Sequence, residues 1–227
     1  MKRVAIPELL DTDQGSPEEV AGSLADLRWL KRYFGGLSTT TKLLFHVATI
    51  TGLKQMSFLD VAGASGDVAL AAQAHLKGRG LDLELAVLDR SAAHLPSSQV
   101  RNGTAAVVGD ALNIPFDDAS FDVVGSALFL HHLEPEQIVQ FTNEALRVCR
   151  HAVIVNDLRR DPIHLATAYA GRIAYHSRIT RNDAPASVRN AYTPEEMREI
   201  LRQTDSGRVE FSRHYFFRMG IVMWKHE

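Results

Sequence analysis

The sequence predicts an α/β protein with a doubly wound, Rossmann-like sheet, mostly parallel and closed by a C-terminal antiparallel hairpin. Three observations carry this. Short apolar runs at 57–61, 83–89, 105–109, 121–128 and 152–157 alternate with amphipathic segments, as parallel strands joined by crossover helices do. The first run ends in small residues, Ala62-Gly63-Ala64-Ser65-Gly66, ahead of a helical stretch. Two aromatic and β-branched runs, 209–217 and 221–225, follow the alternation and are separated by Arg218-Met219-Gly220, which reads as the turn of an antiparallel pair.

In chain order, the first fifteen residues, rich in Pro, Asp, Gln and Gly, read as a loosely held arm. Ser16-Pro17-Glu18-Glu19 is a helix start, with Pro in the first turn and acids against the dipole, and the helix runs toward Tyr33. Gly35-Gly36 breaks it, and Leu43, Leu44, Val47 and Ile50 mark a second helix that ends near Gly52. Both precede the first strand and are available to cover a site. This divides the chain into an arm with cap helices, 1–56, and a sheet domain, 57–227. Helices follow at 66–76, briefly near Ser91, and at 136–148. After the fifth strand, 158–192 interrupts the alternation with a helix at 162–176 and a polar stretch around Asn182-Asp183-Ala184-Pro185, a lid at the ligand-facing edge. Thr193-Pro194-Glu195-Glu196 starts the last helix.

The 227 residues, 45% hydrophobic and 23% charged, suit one full-sized domain with a modest extra segment. A formal charge of -2 gives no global field to hold a polyanion, so nucleic acid is not an expected partner. The single cysteine, Cys149, rules out an internal disulfide framework and a thiolate-rich metal site. Pro7, Glu8, Asp11 and Asp13 interrupt any signal-peptide core, and no apolar run approaches the roughly 20 residues of a membrane helix. The expectation is a cytoplasmic monomer or homodimer acting on a small molecule, with no membrane or nucleic-acid partner.

Ligands of doubly wound sheets bind outside the carboxyl ends of the strands, so the candidate chemistry lies at those ends. The small residues after 57–61 let backbone approach a ligand at a helix N-terminus. About twenty residues later the next strand ends in Leu88-Asp89-Arg90, where a carboxylate can accept both hydroxyls of a ribose. The third ends in Gly109-Asp110-Ala111, an acid with a small neighbour suited to an adenine edge.

The ordered set Leu59-Asp60-Val61 with its small residues, Leu88-Asp89-Arg90, Gly109-Asp110-Ala111 with Ile114-Pro115-Phe116, and Ser120-Phe121-Asp122-Val123-Val124 resembles the consecutive motifs of class I S-adenosylmethionine (SAM) dependent methyltransferases over roughly 58–157. The resemblance implies SAM as cofactor and S-adenosylhomocysteine (SAH) as product. It implies that Asp60 positions the methionine amino end, that backbone at Ala62, Gly63 and Ala64 lines the methionine, that Asp89 with Arg90 beside it holds the ribose, and that Asp110 and Ala111 read adenine. Only Gly66 keeps the family's glycine register; Gly63 falls at a variable position. Ala62 and Ala64 stand where the family has Gly, adding two methyl groups and, at positive φ, a strain of roughly 1 kcal/mol each, so weaker or altered SAM binding is expected.

Strand 121–128 leads into His131-His132, imidazoles suited to removing an acceptor's proton. By resemblance to plant-type phenolic O-methyltransferases, His131 is the better match for a base and His132 the second candidate. Asn156, Arg159 and Arg181 resemble positions in small bacterial methyltransferases of type III polyketide and quinone-type pathways. That resemblance implies an aromatic or phenolic acceptor, methylated on oxygen rather than carbon, with an acidic group paired to an arginine. Adjacent histidines lack metal-ligand helical spacing, so no metal is expected. Two other functions compete: a catalytically impaired SAM-binding or interaction protein, motivated by Ala62 and Ala64, and an NAD-dependent dehydrogenase, which needs a G-x-G-x-x-G that Ala62 to Val68 does not supply.

Overall fold

The computed structural model describes residues 1–12, 15–92, 95, 100, 101 and 104–226. Eight strands form one sheet: β1 Gln55–Val61, β2 Asp82–Asp89, β3 Val100–Arg101, β4 Thr104–Val108, β5 Phe121–Ala127, β6 Cys149–Leu158, β7 Arg208–His214 and β8 Arg218–Trp224, in the order β3-β4-β2-β1-β5-β6-β8-β7. β4, β2, β1, β5 and β6 are mutually parallel, while β8 and β7 add antiparallel at one edge and β3 at the other. Chain order reverses between β1 and β5, which places the switch point beside the end of β1.

Both faces of the sheet are covered, which is why its strands read as nearly continuous apolar runs. On one face Leu59, Val61, Val124, Val153 and Val155 pack under α4 (Pro135–Val148) and α7 (Pro194–Leu201) through Ile138, Phe141, Met197 and Leu201. On the other, Met56, Phe58, Val123 and Ile154 meet α2 (Gly36–Thr51) and α3 (Asp67–Lys77) through Leu44, Val47, Ala72 and Leu76. Each such fully buried side chain contributes roughly 1.5–3 kcal/mol. The second helix is therefore a layer of the core. α1 (Pro17–Tyr33), begun by a capping box of Ser16 and Glu19, lies instead over the strand ends with α5 (Pro162–Gly171) and α6 (Arg178–Asn190). No helix among the described residues is long and apolar enough to cross a membrane.

Several expectations are corrected. The opening arm is docked: Val4 N donates to Arg189 O, Ile6 N to Asn190 Oδ1, and Leu9 N and Leu10 N to the two oxygens of Asp183. The polar stretch 182–185 is helical, because those same polar side chains satisfy the docked segment and have no need of a turn. The helix predicted over 162–176 stops at Gly171. Ser91 and Ala92 are not helical, and the rest of the brief helix expected there falls outside the described residues. The terminal hairpin turns at Tyr215-Phe216-Phe217, not at 218–220. Phe216 packs edge-on against Phe34 at 4.5 Å and Phe217 stacks on His164 at 4.9 Å, so tertiary contacts hold both at positive φ, 57° and 58°. Arg218 thereby becomes the first residue of a strand.

Candidate active site

A cavity of about 790 Å³ lies over the ends of β1, β2, β4, β5 and β6, roofed by α1, α5, α6 and the N-terminal segment. Its floor is the corner after β1. Gly63 N donates to Leu88 O at 3.3 Å, Gly66 N closes the turn on Gly63 O at 2.9 Å, and Gly66, at φ 69°, starts α3 in the left-handed region that glycine tolerates. Gly63 is not a variable filler. A Cβ there would meet the Asp60 carboxylate at 2.8 Å and Val87 Cγ1 at 2.8 Å, so the position admits only hydrogen. Ala62 and Ala64 do adopt positive φ, 56° and 50°, and both line the cavity. The strain predicted for them is present.

Asp60 and Asp89 are 3% and 5% exposed. Asp89 ties the corner together: its Oδ2 accepts from Ala64 N at 2.9 Å and its Oδ1 from Ser91 N at 3.0 Å. Burial pushes the Asp60 carboxyl up to about 7, against the opposing pull of Lys31. Asp110 is exposed at the cavity rim, its Oδ1 accepting from Leu112 N, with Ala111 beside it. Arg90 lines the cavity but turns outward to donate to Asp11 O at 3.3 Å, so it braces the N-terminal segment. Lys31, on α1, was not foreseen. It lines the cavity among Asp60, Asp67 and Asp89, and its pKa is lowered by burial against the pull of those acids.

The two histidines have different surroundings. His131 is 3% exposed; its Nδ1 lies 2.6 Å from Asp157 Oδ1 and its backbone N–H reaches Asp157 Oδ2 at 3.2 Å. Burial alone would raise the Asp157 carboxyl, but the charge and hydrogen bond of His131 and the Leu158 N–H outweigh it, and the pKa lies below the usual carboxylate value. Asp157 accepts from Nδ1–H, which leaves Nε2 as the ring atom through which a proton can be exchanged. Nε2 lies 3.7 Å from Glu8, a buried residue of the N-terminal segment whose Oε1 accepts from Ser187 Oγ at 2.7 Å. Glu8 carries no motif that a sequence search would find.

His132 pairs with Asp11 at 2.7 Å. Burial would lower its pKa, but the hydrogen bond to Asp11 and the charges of Glu8, Asp11 and Asp157 raise it to about 9. A protonated ring cannot serve as a base near neutrality, so the expectation for His132 is corrected: it pins the N-terminal segment. Glu8, His131 and His132 offer ligand-type atoms within 4.8 Å of one another. Because the folded pKa of His132 is raised from 6.5, its stabilisation is complete below about pH 6.5 and lost as pH rises through about 9. Backbone amides of Leu9 and Leu10 should therefore lose hydrogen-exchange protection between pH 7 and about 9.5, after correction for intrinsic rates, and H132Q should flatten that dependence. Constant protection in the unmodified protein would refute the assignment.

The three residues expected to hold the acceptor are elsewhere. Asn156 is buried beneath α2, its Nδ2 donating to Gly36 O at 2.7 Å and Thr40 Oγ1 at 3.0 Å. Arg159 pairs with Asp161, and Arg181 donates from Nε to Tyr175 O; neither lines the cavity. Asn156 lies in β6 and Arg159 just after it, where alternate residues face opposite sides of the sheet, while Arg181 lies on α6. The arginines that do line the cavity are Arg28, Arg90 and Arg218.

Residues 58–152 match the family model of a methyltransferase domain. The plantazolicin methyltransferase BpumL, solved with a triazolic desmethylPZN analog and SAH, superposes with a TM-score of 0.69 at 12% identity, over 96% of this chain and 94% of that one. A SAM dependent methyltransferase from Aquifex aeolicus superposes at 0.55 with 17% identity, over 79% and 87%. A putative O-methyltransferase from Nostoc punctiforme gives 0.55 at 14%, over 87% and 60%. A search of curated protein sequences gives no match. Residues 58–152 carry a methyltransferase domain, on the fold that the solved SAM-dependent methyltransferase shares, and Ala62 to Val68 lacks the G-x-G-x-x-G that a dehydrogenase needs.

Proposed function

We propose that the protein methylates a small hydroxylated acceptor, aromatic or phenolic, on oxygen, with His131 as the proton acceptor. The observation that carries this is the buried His131–Asp157 pair in the same cavity as the corner formed by Ala64, Asp89 and Asp110.

The residues present suit the cofactor. Gly63 lets the corner close on Asp60 and Val87, and on this reading the cavity-lining Asp89 would take the ribose, Asp110 and Ala111 the adenine, and the Lys31 ammonium the methionine carboxylate. When bound, SAM supplies an electrophilic methyl group on a sulfonium. The chain would align the acceptor oxygen and take its proton at His131 Nε2, with Asp157 stabilising the resulting imidazolium, while the methyl passes from sulfur to that oxygen and SAH leaves as the S–C bond breaks. Apolar walls from Leu27, Leu30, Phe34 and Phe216 suit an aromatic ring and exclude water.

Calorimetric titration with SAM, followed by mass spectrometry of a phenolic panel incubated with labelled SAM, tests the reading. Binding with transfer of label to oxygen is expected. No binding at millimolar SAM would overturn the proposal, and binding without transfer to any acceptor would favour the impaired SAM-binding protein.

A further inference from the structure

The cavity holds a buried cation that neither the cofactor corner nor the His131–Asp157 pair uses. Arg218 opens β8, opposite Leu158 in register, and is 4% exposed. Its Nε donates to Phe34 O at 3.1 Å, which fixes the guanidinium plane, and its Nη1 has no hydrogen-bond partner among the described residues. Arg218 lines the cavity together with His164 and Phe216. Burial lowers its pKa only to about 10, so the group remains charged at neutral pH.

An unpaired buried charge is costly, by several kcal/mol even after relaxation. The carboxylate whose field reaches Arg218 is Asp157, and that carboxylate already accepts from His131 Nδ1, His131 N and Leu158 N. On the proposed reading the methionine carboxylate meets Lys31, which is set among Asp60, Asp67 and Asp89 and is also within the field of Arg218. Arg218 stands instead at the end of β6, next to the strand residue that orients His131. A planar fork of N–H donors can pair with a carboxylate through two parallel hydrogen bonds.

We infer that Arg218 recognises a carboxylate of the methyl acceptor, so that the substrate class is a hydroxylated carboxylic acid held by its acid group at Arg218 while its hydroxyl meets His131. This rests on the methyltransferase reading, and it assigns to Arg218 the anion contact that Arg159, after β6, and Arg181, on α6, do not make.

The test compares hydroxybenzoic acids with their methyl esters as acceptors, using the unmodified protein, R218K and R218M, with SAH affinity measured on each by calorimetry. The acids should exceed their esters at least tenfold in kcat/KM, mainly through KM. R218M should cut turnover of the acids at least tenfold more than that of the esters, R218K should retain part of the preference, and SAH affinity should stay within threefold. Equal use of acids and esters by the unmodified protein would overturn the inference. So would an SAH affinity that falls tenfold in the Arg218 variants while the acid preference survives, since the carboxylate would then be that of the methionine. If R218M does not fold, R218K decides: an unchanged preference refutes the assignment. If no acceptor is methylated although SAH binds, the methyl-transfer reading fails by itself, and calorimetry of benzoate against methyl benzoate on the SAH-loaded protein still decides the anion site, tighter benzoate binding supporting it and equal binding refuting it.

Discussion

Replacing His131 with alanine should lower methyl transfer by about 10²–10⁴-fold while leaving SAH affinity within threefold. The reason is the division of labour in the cavity. Asp157, 1% exposed and kept ionised, fixes the imidazole through Nδ1, and only Nε2 is left to take a proton. H131A also strands a buried carboxylate, at a cost of roughly 3–5 kcal/mol, so its melting temperature must be measured beside its rate. D157N serves as the companion variant. It preserves shape, but its amide can donate to Nδ1, which drives the proton to Nε2 and removes the base; a large loss in kcat with little change in KM is expected. Turnover of H131A equal to that of the unmodified protein would remove His131 from the chemistry.

The other large effect belongs to Asp89. D89A should weaken SAH binding by about a hundredfold or more, since two charge-assisted hydrogen bonds to a ribose are worth about 1.5–3 kcal/mol each. Part of the loss comes from within the protein, because Ala64 N and Ser91 N lose their acceptor and the corner relaxes. D89N separates the two contributions: it keeps the size and one oxygen, and should fall between the unmodified protein and D89A. A loss below threefold in calorimetry for D89A would place the ribose elsewhere.

The parts of this site that could be read from the sequence share one property, closeness along the chain to a strand end. Asp60, Asp89, Asp110 and His131 each follow or close a short apolar run, and period and small-residue signals mark such runs well. Glu8, Lys31 and Arg218 reach the same cavity from the N-terminal segment, α1 and the terminal hairpin, and no local pattern announces them. Arg218 was hidden further by an aromatic run whose turn is set by packing on Phe34 and His164. α6 was misread for a related reason. Asp183, Ser187 and Asn190 resemble turn chemistry, but their partners are Leu9, Leu10, Glu8 and Ile6, more than 170 residues away. Gly63 was undervalued because what it must avoid, the carboxylate of Asp60, is visible only once the turn has closed.

The docked N-terminal segment has a consequence for how the molecule is made. Its residues are made long before their partners: Arg3 bonds Asn190 and Glu134, Leu9 and Leu10 bond Asp183, and Glu8 bonds Ser187. Contacts of such long sequence separation pay their loop-closure entropy late. The segment must therefore wait for residues 183–190 before it settles, and a nascent polypeptide that has already built its central strands still has an open bowl where the finished protein has a walled chamber. Completion of the C-terminal third, and not formation of the nucleotide corner, is the event that turns this fold into a closed reaction vessel.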